Sequence, residues 1–247
     1  MIRVIGEGII EQASAFNDLK SVLDFDQDIY LGAMWANILG IELRGRVIYN
    51  TEFLYDESPL FGIGYLDTLR NNIILDYSAG NVSYLKQHGI EAFHMPYGYH
   101  PSLERPHFCE KDIDVLFVGS NHHQRRIDLF AELSKHCRLV IAKGCYGEDL
   151  DRLIARAKVH INLHHVEGQP LEVVRLNYLM ANHGNVVSEY GPDSDVNHLY
   201  ESGLRFADYG ELIDSCMDAL KAPIDGYETI KTIPHNCTEA KKWIKNY

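Results

Sequence analysis

The residue types in this chain best suited to chemistry gather in residues 114–126, which read D-V-L-F-V-G-S-N-H-H-Q-R-R. Val115, Leu116, Phe117 and Val118 form an apolar run that suits a strand buried on both faces of a parallel sheet. Gly119 and Ser120 end the run, and Ile127, Phe130 and Ala131 then recur on one side of a helix. Such a turn aims backbone N–H groups and the positive end of a helix dipole at one point, where an anion can sit. Arg125 and Arg126 bring two guanidinium groups to the same turn, and a guanidinium grips a phosphate through paired hydrogen bonds. The stretch reads as a candidate pocket for a nucleotide diphosphate. The plainer alternative is an ordinary turn carrying two solvated arginines.

A second set of candidates comes from carboxylates. Ligands of parallel sheets bind beyond the C-terminal ends of the strands. That rule gathers Glu7, Asn50, Thr51, Glu52, Asp76 and Ser78 near one crevice. A carboxylate there could take the proton of a substrate hydroxyl. Glu7, flanked by Gly6 and Gly8, is preferred, narrowly ahead of Glu52 and Asp76. The alternative for each is a turn or cap residue satisfying local backbone. His100 lies in residues 95–101, rich in Pro, Gly and aromatic side chains, and is a further catalytic candidate to take a substrate proton or contact a ligand, its alternative being a packed linker residue. His164, His165 and Glu167 suggest a metal at first sight. Neighbours on a strand point to opposite faces, and no H-E-x-x-H helix is present, so no metal site is expected there or at His122 and His123.

The elements that must position these residues alternate along the chain. In the first half, strands are expected at 3–5, 28–31, 46–50, 73–76 and 92–95. Helices are expected around Ala13, Phe16, Leu19 and Leu23, over 59–70 and over 81–87. The second half repeats the pattern, with strands at 115–118, 138–142, 159–165, 185–189 and 204–206. Its helices follow residue 124 and span 148–158, 171–182, 195–202 and 209–220. Alternation of this kind predicts an α/β protein of two Rossmann-like domains with mostly parallel sheets. The boundary is placed at 105/106, giving domains 1–105 and 106–247. A last helix over 238–245, anchored by Trp243, is expected to pack back on the first domain.

At 247 residues the chain is long enough for two small domains. Its formal charge of −12 opposes general attraction to nucleic acid or anionic lipid. No apolar run reaches the ~20 residues of a membrane span. Five cysteines without a C-x-x-C pair suggest reduced thiols, and a cytoplasmic location is expected.

The order strand–G-S–R-R–helix, followed by "KVHINLHHVEGQPLEVVRLNYLMANHGNVVSE", resembles the donor-binding half of GT-B glycosyltransferases. It is most similar to family-1-type transferases of the spore-maturation kind. The resemblance covers residues 114 to about 215; the first half, a reduced domain, is similar only in architecture. It implies a hexosyltransferase-like enzyme moving a sugar from a nucleotide-diphosphate donor to an acceptor hydroxyl, with no cofactor and no metal needed for the chemistry. By the same resemblance Gly119, Ser120, Arg125 and Arg126 match the first donor loop, and Glu172 and Arg175 sit in the helix after the third strand; among the residues themselves His164 is a further donor-binding candidate, Asn177 reads as polar lining or a solvated position, and Glu189 ends a strand where a carboxylate can bind a sugar hydroxyl or cap a turn. The family's spacing of two glutamates is not kept: eight residues after Glu167 stands Arg175. Glu172 and Arg175 share a helical face, so a small solvated ion pair is their alternative. Two rival functions are a nucleotide- or sugar-binding module without catalysis, and a glycosyltransferase acting on a DNA base. The acidic charge opposes the second rival.

Overall fold

The computed structural model describes residues 1–5, 23, 25–105, 109–233 and 236–247. The chain falls into two compact units, Met1–Tyr97 with Pro234–Tyr247, and Gly98–Ile233. Among the described residues each carries one sheet of five parallel strands.

In the first unit the strands are β1 (Ile2–Val4), β2 (Ile29–Leu31), β3 (Val47–Asn50), β4 (Ile73–Asp76) and β5 (Ala92–His94). They lie side by side in chain order. Ile48 and Ile74 at the centre are wholly buried and pack with Tyr65, Leu69 and Leu85. The stretch expected as one helix over 59–70 is two, Pro59–Gly62 and Tyr65–Arg70. Gly64 separates them at φ 79°, a left-handed conformation that glycine adopts without steric cost. The helix Ala33–Leu39 was not anticipated. Its apolar residues run around the whole cylinder: Ala33 and Ala36 are buried while Ile38 and Leu39 are exposed, so no helical period is visible. The C-terminal helix Cys237–Lys245 belongs to this unit, with the Trp243 ring 5.7 Å from that of Phe93. Glu7 and the helical pattern expected after it lie outside the described residues.

The second unit contains β6 (Ile113–Val118), β7 (Leu139–Ala142), β8 (Ala157–Asn162), β9 (Val186–Glu189) and β10 (Arg205–Ala207). Their spatial order is β10-β9-β8-β6-β7. The chain steps from β6 to β7 on one side, then returns across β6 to build β8, β9 and β10 on the other. This reversal leaves a crevice beyond the C-terminal ends of β6 and β8, because the connections there leave in opposite directions. Val115, Phe117, Val159 and Ile161 fill the core under it, with Leu129, Phe130 and Leu133 from the helix Gln124–Leu133. The strand expected over 159–165 ends at Asn162. His164 and His165 lie in the following loop, so the alternation of strand side chains does not govern them. The helix expected from Leu171 begins at Val173, with Glu172 as its N-terminal boundary residue.

His160 on β8 is 1% exposed. Its Nε2 lies 3.1 Å from the Ile154 carbonyl, so Nε2 carries the proton, while the buried Nδ1 has no partner. Burial pushes its pKa down to about 4. An unfolded chain, with an ordinary imidazole near 6.5, takes up this proton first. Stability is therefore lost as pH falls from about 6.5 to about 4, by up to roughly 3 kcal/mol at 1.36 kcal/mol per unit. Denaturant titration at pH 7 and pH 4.5 should show a smaller acid loss in His160→Leu than in the parent.

Candidate functional site

The crevice is built from the turn after β6, the loop after β8, the end of β9 and the start of the helix Val173–Ala181. Gly119 sits at φ 142°. A Cβ there would lie 3.2 Å from the Phe117 ring and 3.4 Å from Arg175 Nη2, so a glycine lets the Arg175 guanidinium come close to the turn. Phe117 offers its face to two cations, with Arg126 5.0 Å and Arg175 5.6 Å from the ring centre.

Glu172 is the hub. Its Oε2 accepts from Asn162 Nδ2 and from His164 Nδ1, both at 2.9 Å. Its Oε1 accepts from Gln169 Nε2 at 3.2 Å and lies 3.6 Å from Arg175 Nη1 and 3.9 Å from Arg126 Nη2. Burial works to raise the Glu172 pKa, but the His164 hydrogen bond and the Arg175 charge dominate together and hold it at about 2. His164 shows the converse. Burial would lower its pKa, yet the hydrogen bond and charge of Glu172 outweigh burial and leave it above the ordinary imidazole value. Its Nε2 lies 3.1 Å from the Tyr190 carbonyl, so both ring nitrogens face acceptors, as an imidazolium requires.

Arg125 forms a two-pronged pair with Glu189: Nη1 to Oε2 at 2.6 Å, and Nη2 to Oε1. Glu189 Oε2 also accepts the His164 main-chain N–H at 2.8 Å. The Arg125 guanidinium lies 4.1 Å over the Tyr209 ring, and the Tyr209 hydroxyl donates to the Arg125 carbonyl at 2.7 Å. Arg126 is buried and donates to the carbonyls of Ser120 at 2.8 Å and Leu163 at 2.6 Å, tying the first turn to the loop after β8. Burial, with the nearby Arg175 charge, lowers its pKa to about 10. Both arginines of the R-R pair therefore turn inward. Arg175 has the most exposed side chain of the three, 22% against 17% for Arg125 and 5% for Arg126. Three guanidinium groups and a proton-retaining His164 thus surround two buried carboxylates, with Glu167 exposed nearby. The centre carries surplus positive charge in an acidic protein.

The structure brings Gly119, Ser120, Arg125, Arg126, His164, Glu172, Arg175 and Glu189 into this one cluster. Asn177 stands apart: it is wholly buried and accepts the Tyr200 hydroxyl at 2.6 Å, joining its own helix to the helix Ser194–Tyr200. His100 is exposed, and its Nδ1 accepts the Ser102 N–H at 3.1 Å, capping the short turn Pro101–Leu103. In the first unit Asp76 is 0% exposed, and its oxygens accept from Asn50 Nδ2 (2.6 Å), the Ser78 N–H (2.8 Å) and Asn81 Nδ2 (3.1 and 3.2 Å). Burial raises its pKa to about 7, even though these bonds favour the charged form. Glu52 stands beside this network, its main-chain carbonyl taking hydrogen bonds from Asn50 and Asn81. The sequence reading missed Asn162, Gln169 and Tyr209. Asn162 left a trace, as a polar residue closing a buried strand. Among the described residues no group of three or more His, Cys, Asp or Glu side chains is placed to hold a metal ion.

No family model matches the chain. An uncharacterized protein of Acanthamoeba polyphaga mimivirus is 27% identical over 189 residues, covering 71% of this chain and 59% of that protein. The chain thus spans less than two thirds of the relative's length. Sucrose-phosphate synthase from Thermosynechococcus elongatus superposes with a TM-score of 0.59 at 12% identity, over 89% of this chain and 72% of that one. AviGT4, a glycosyltransferase involved in Avilamycin A biosynthesis, does so at 0.54 and 12% identity, over 98% and 89%. The fold is that of the GT-B glycosyltransferases. T4 phage BGT, solved with UDP and Mn2+, superposes at 0.52 and 10% identity, over 96% and 84%. No helix among the described residues is long and apolar enough to cross a membrane.

Replacing Glu172 by Gln should strip His164 and Arg175 of their buried counter-charge. Breaking one side of a buried pair costs about 3–5 kcal/mol. Urea unfolding at pH 7 should show a loss of that order, and the His164 imidazole, followed by NMR, should titrate at lower pH than in the parent.

Proposed function

We propose that this chain is a glycosyltransferase that passes a hexose from a nucleotide-diphosphate donor to an acceptor hydroxyl, with the unit Gly98–Ile233 holding the donor. The surplus positive charge at the β6/β8 reversal carries this reading. When the bond from the sugar to the donor oxygen breaks, the diphosphate leaves with one more negative charge. Fixed cations that need not reorganise stabilise that leaving group more than the bound donor, which lowers the barrier. Arg175 is the guanidinium best exposed to meet the diphosphate. Arg125, locked to Glu189, and Arg126, locked to two carbonyls, keep the Gly119–Ser120 turn and the loop after β8 in place. Glu172 holds His164 in its charged form and lies 3.6 Å from Arg175 Nη1. The likeness to a structure holding UDP makes UDP the first nucleotide to test.

The acceptor proton goes to a general base of this chain, and Glu7 is its first candidate. Asp76 has a pKa suited to that task, but its oxygens are already engaged and sealed from solvent. We assign it to holding the ends of β3 and β4 together. His100 uses Nδ1 to cap a turn, which leaves only Nε2 for an acceptor.

Thermal melting should be measured against UDP, GDP, ADP, CMP, dTDP and their sugars at millimolar concentration. A ligand at a hundred times its Kd stabilises by about 2.7 kcal/mol, a shift of roughly 5–10 °C for a chain of this size. One diphosphate should give such a shift, and Arg175→Ala should lose most of it. Turnover with the matching donor should continue in excess EDTA if the chemistry is metal-independent. Absence of a shift with every ligand would sink the donor-site reading; a shift without turnover would mark a binding module.

A further inference from the structure

Three histidines stand beside the cluster and take no part in its ion pairs. His122 and His123 precede the helix Gln124–Leu133, and His165 lies in the loop after β8. The His165 ring centre is 5.3 Å from that of His122 and 4.6 Å from that of His123. His122 Nδ1 shares a hydrogen bond with the Ser120 hydroxyl, in the turn that resembles a phosphate loop. His123 Nδ1 is buried without a partner. The main-chain N–H of His165 donates to Gln169 Oε1 at 2.9 Å, and Gln169 in turn donates to Glu172. One scaffold thus carries the imidazoles and the cationic centre.

The groups facing these rings explain their state. Arg126 lies beside His165, with Arg175 and the charged His164 behind it on Glu172. The nearby acids are already committed: Glu172 to His164, Asn162 and Gln169, and Glu189 to Arg125. Glu167 is exposed beyond Arg125. Burial, followed by the charges of Arg126, His123 and His122, lowers the His165 pKa. A proton arriving on this trio meets the repulsion of Arg126, and the two buried carboxylates beside it are already paired. An incoming diphosphate would supply the missing counter-charge.

We propose that His122, His123 and His165 form a proton-coupled clamp on the donor diphosphate: they take up protons from solvent as the diphosphate binds and hold it as imidazolium donors. The clamp rests on the donor-site reading above and breaks no bond of the donor. Its sign follows from linkage. Bound anion raises the imidazole pKa values above those of the empty site, so affinity climbs as pH falls through the bound values and levels off below the empty ones. Each proton taken up gives a tenfold change in Kd per pH unit within that window.

Calorimetric titration of the full chain with UDP-glucose, and with GDP-mannose as a second probe, tests this. The phosphates of these diesters have no ionisation near neutrality, so exchanged protons belong to the protein. Titrations at pH 6, 7 and 8, each in two buffers of different ionisation enthalpy, count the protons. The expected result is uptake of about one to two protons at pH 7, with Kd falling about tenfold or more per pH unit from pH 8 to pH 6. A variant carrying His122→Gln, His123→Gln and His165→Gln should lose both the uptake and the slope. The exposed His122→Gln alone, which should reduce them, serves if the triple variant melts early. Binding of either probe with flat pH dependence and no proton uptake overturns the clamp and leaves the donor site standing. A slope that survives the triple variant also overturns it, assigning the protons elsewhere. No binding of either probe at any pH overturns the clamp on these donors, and the donor-site reading falls with it if the wider set of nucleotides and their sugars also gives no thermal shift.

Discussion

A carboxylate buried with its charge intact governs the second unit. Burial alone would drive Glu172 to take up a proton; His164, Asn162, Gln169 and Arg175 together prevent it. The loop after β8 therefore cannot move independently of the helix Val173–Ala181. His164 must hold its ring where both nitrogens find acceptors, and Arg175 must lean toward the Gly119 turn, which only a residue without a Cβ accommodates freely. Glu189 repeats the arrangement at the end of β9 with Arg125 and the His164 main chain. These pairs cost solvation to assemble and contribute little net stability. Their effect is to fix charge in place before any ligand arrives, which is the form of charge that favours a transition state.

The two sheets illustrate how strand order, more than strand content, decides where such a centre can form. Both are parallel and both end their central strands in polar residues. In the first unit the described strands follow one another in chain order, and the polar ends of β3 and β4 close on themselves: Asn50, Asp76 and Asn81 satisfy one another. In the second unit the order reverses between β6 and β8. Connections part there, and the polar groups are drawn from several separate segments. Long-range assembly of this kind places unlike charges side by side without using up every one of them locally.

Much of the α/β alternation was legible in the sequence because buried parallel strands are short apolar runs and need no context to be seen. β4 lies where Ile73 to Asp76 suggested, and β6 holds the run from Val115 to Val118. The glycine turn and the arginines after β6 were legible for the same reason. The direction in which those arginines point was not, since it depends on Glu189, 64 residues later, and on the carbonyl of Leu163. The link between His164 and Glu172 was hidden too, because loop residues have no period. The strand assumed to reach His165 stops at Asn162, which changes the meaning of adjacent histidines: freed from alternation, His165 can turn toward His123. Ala33–Leu39 escaped notice because its exposed isoleucine and leucine blur the face it buries.

The first unit is discontinuous, with Cys237–Lys245 joining residues that precede Tyr97, whereas the second is one unbroken segment. During synthesis the chain emerges N-terminus first, and domains fold as units. The segment 98–233 is complete while the helix that brings Trp243 to Phe93 is still unmade. Of these two units the one begun first is thus completed second, and until then the flank of β5 that meets Trp243 stays uncovered on the nascent chain.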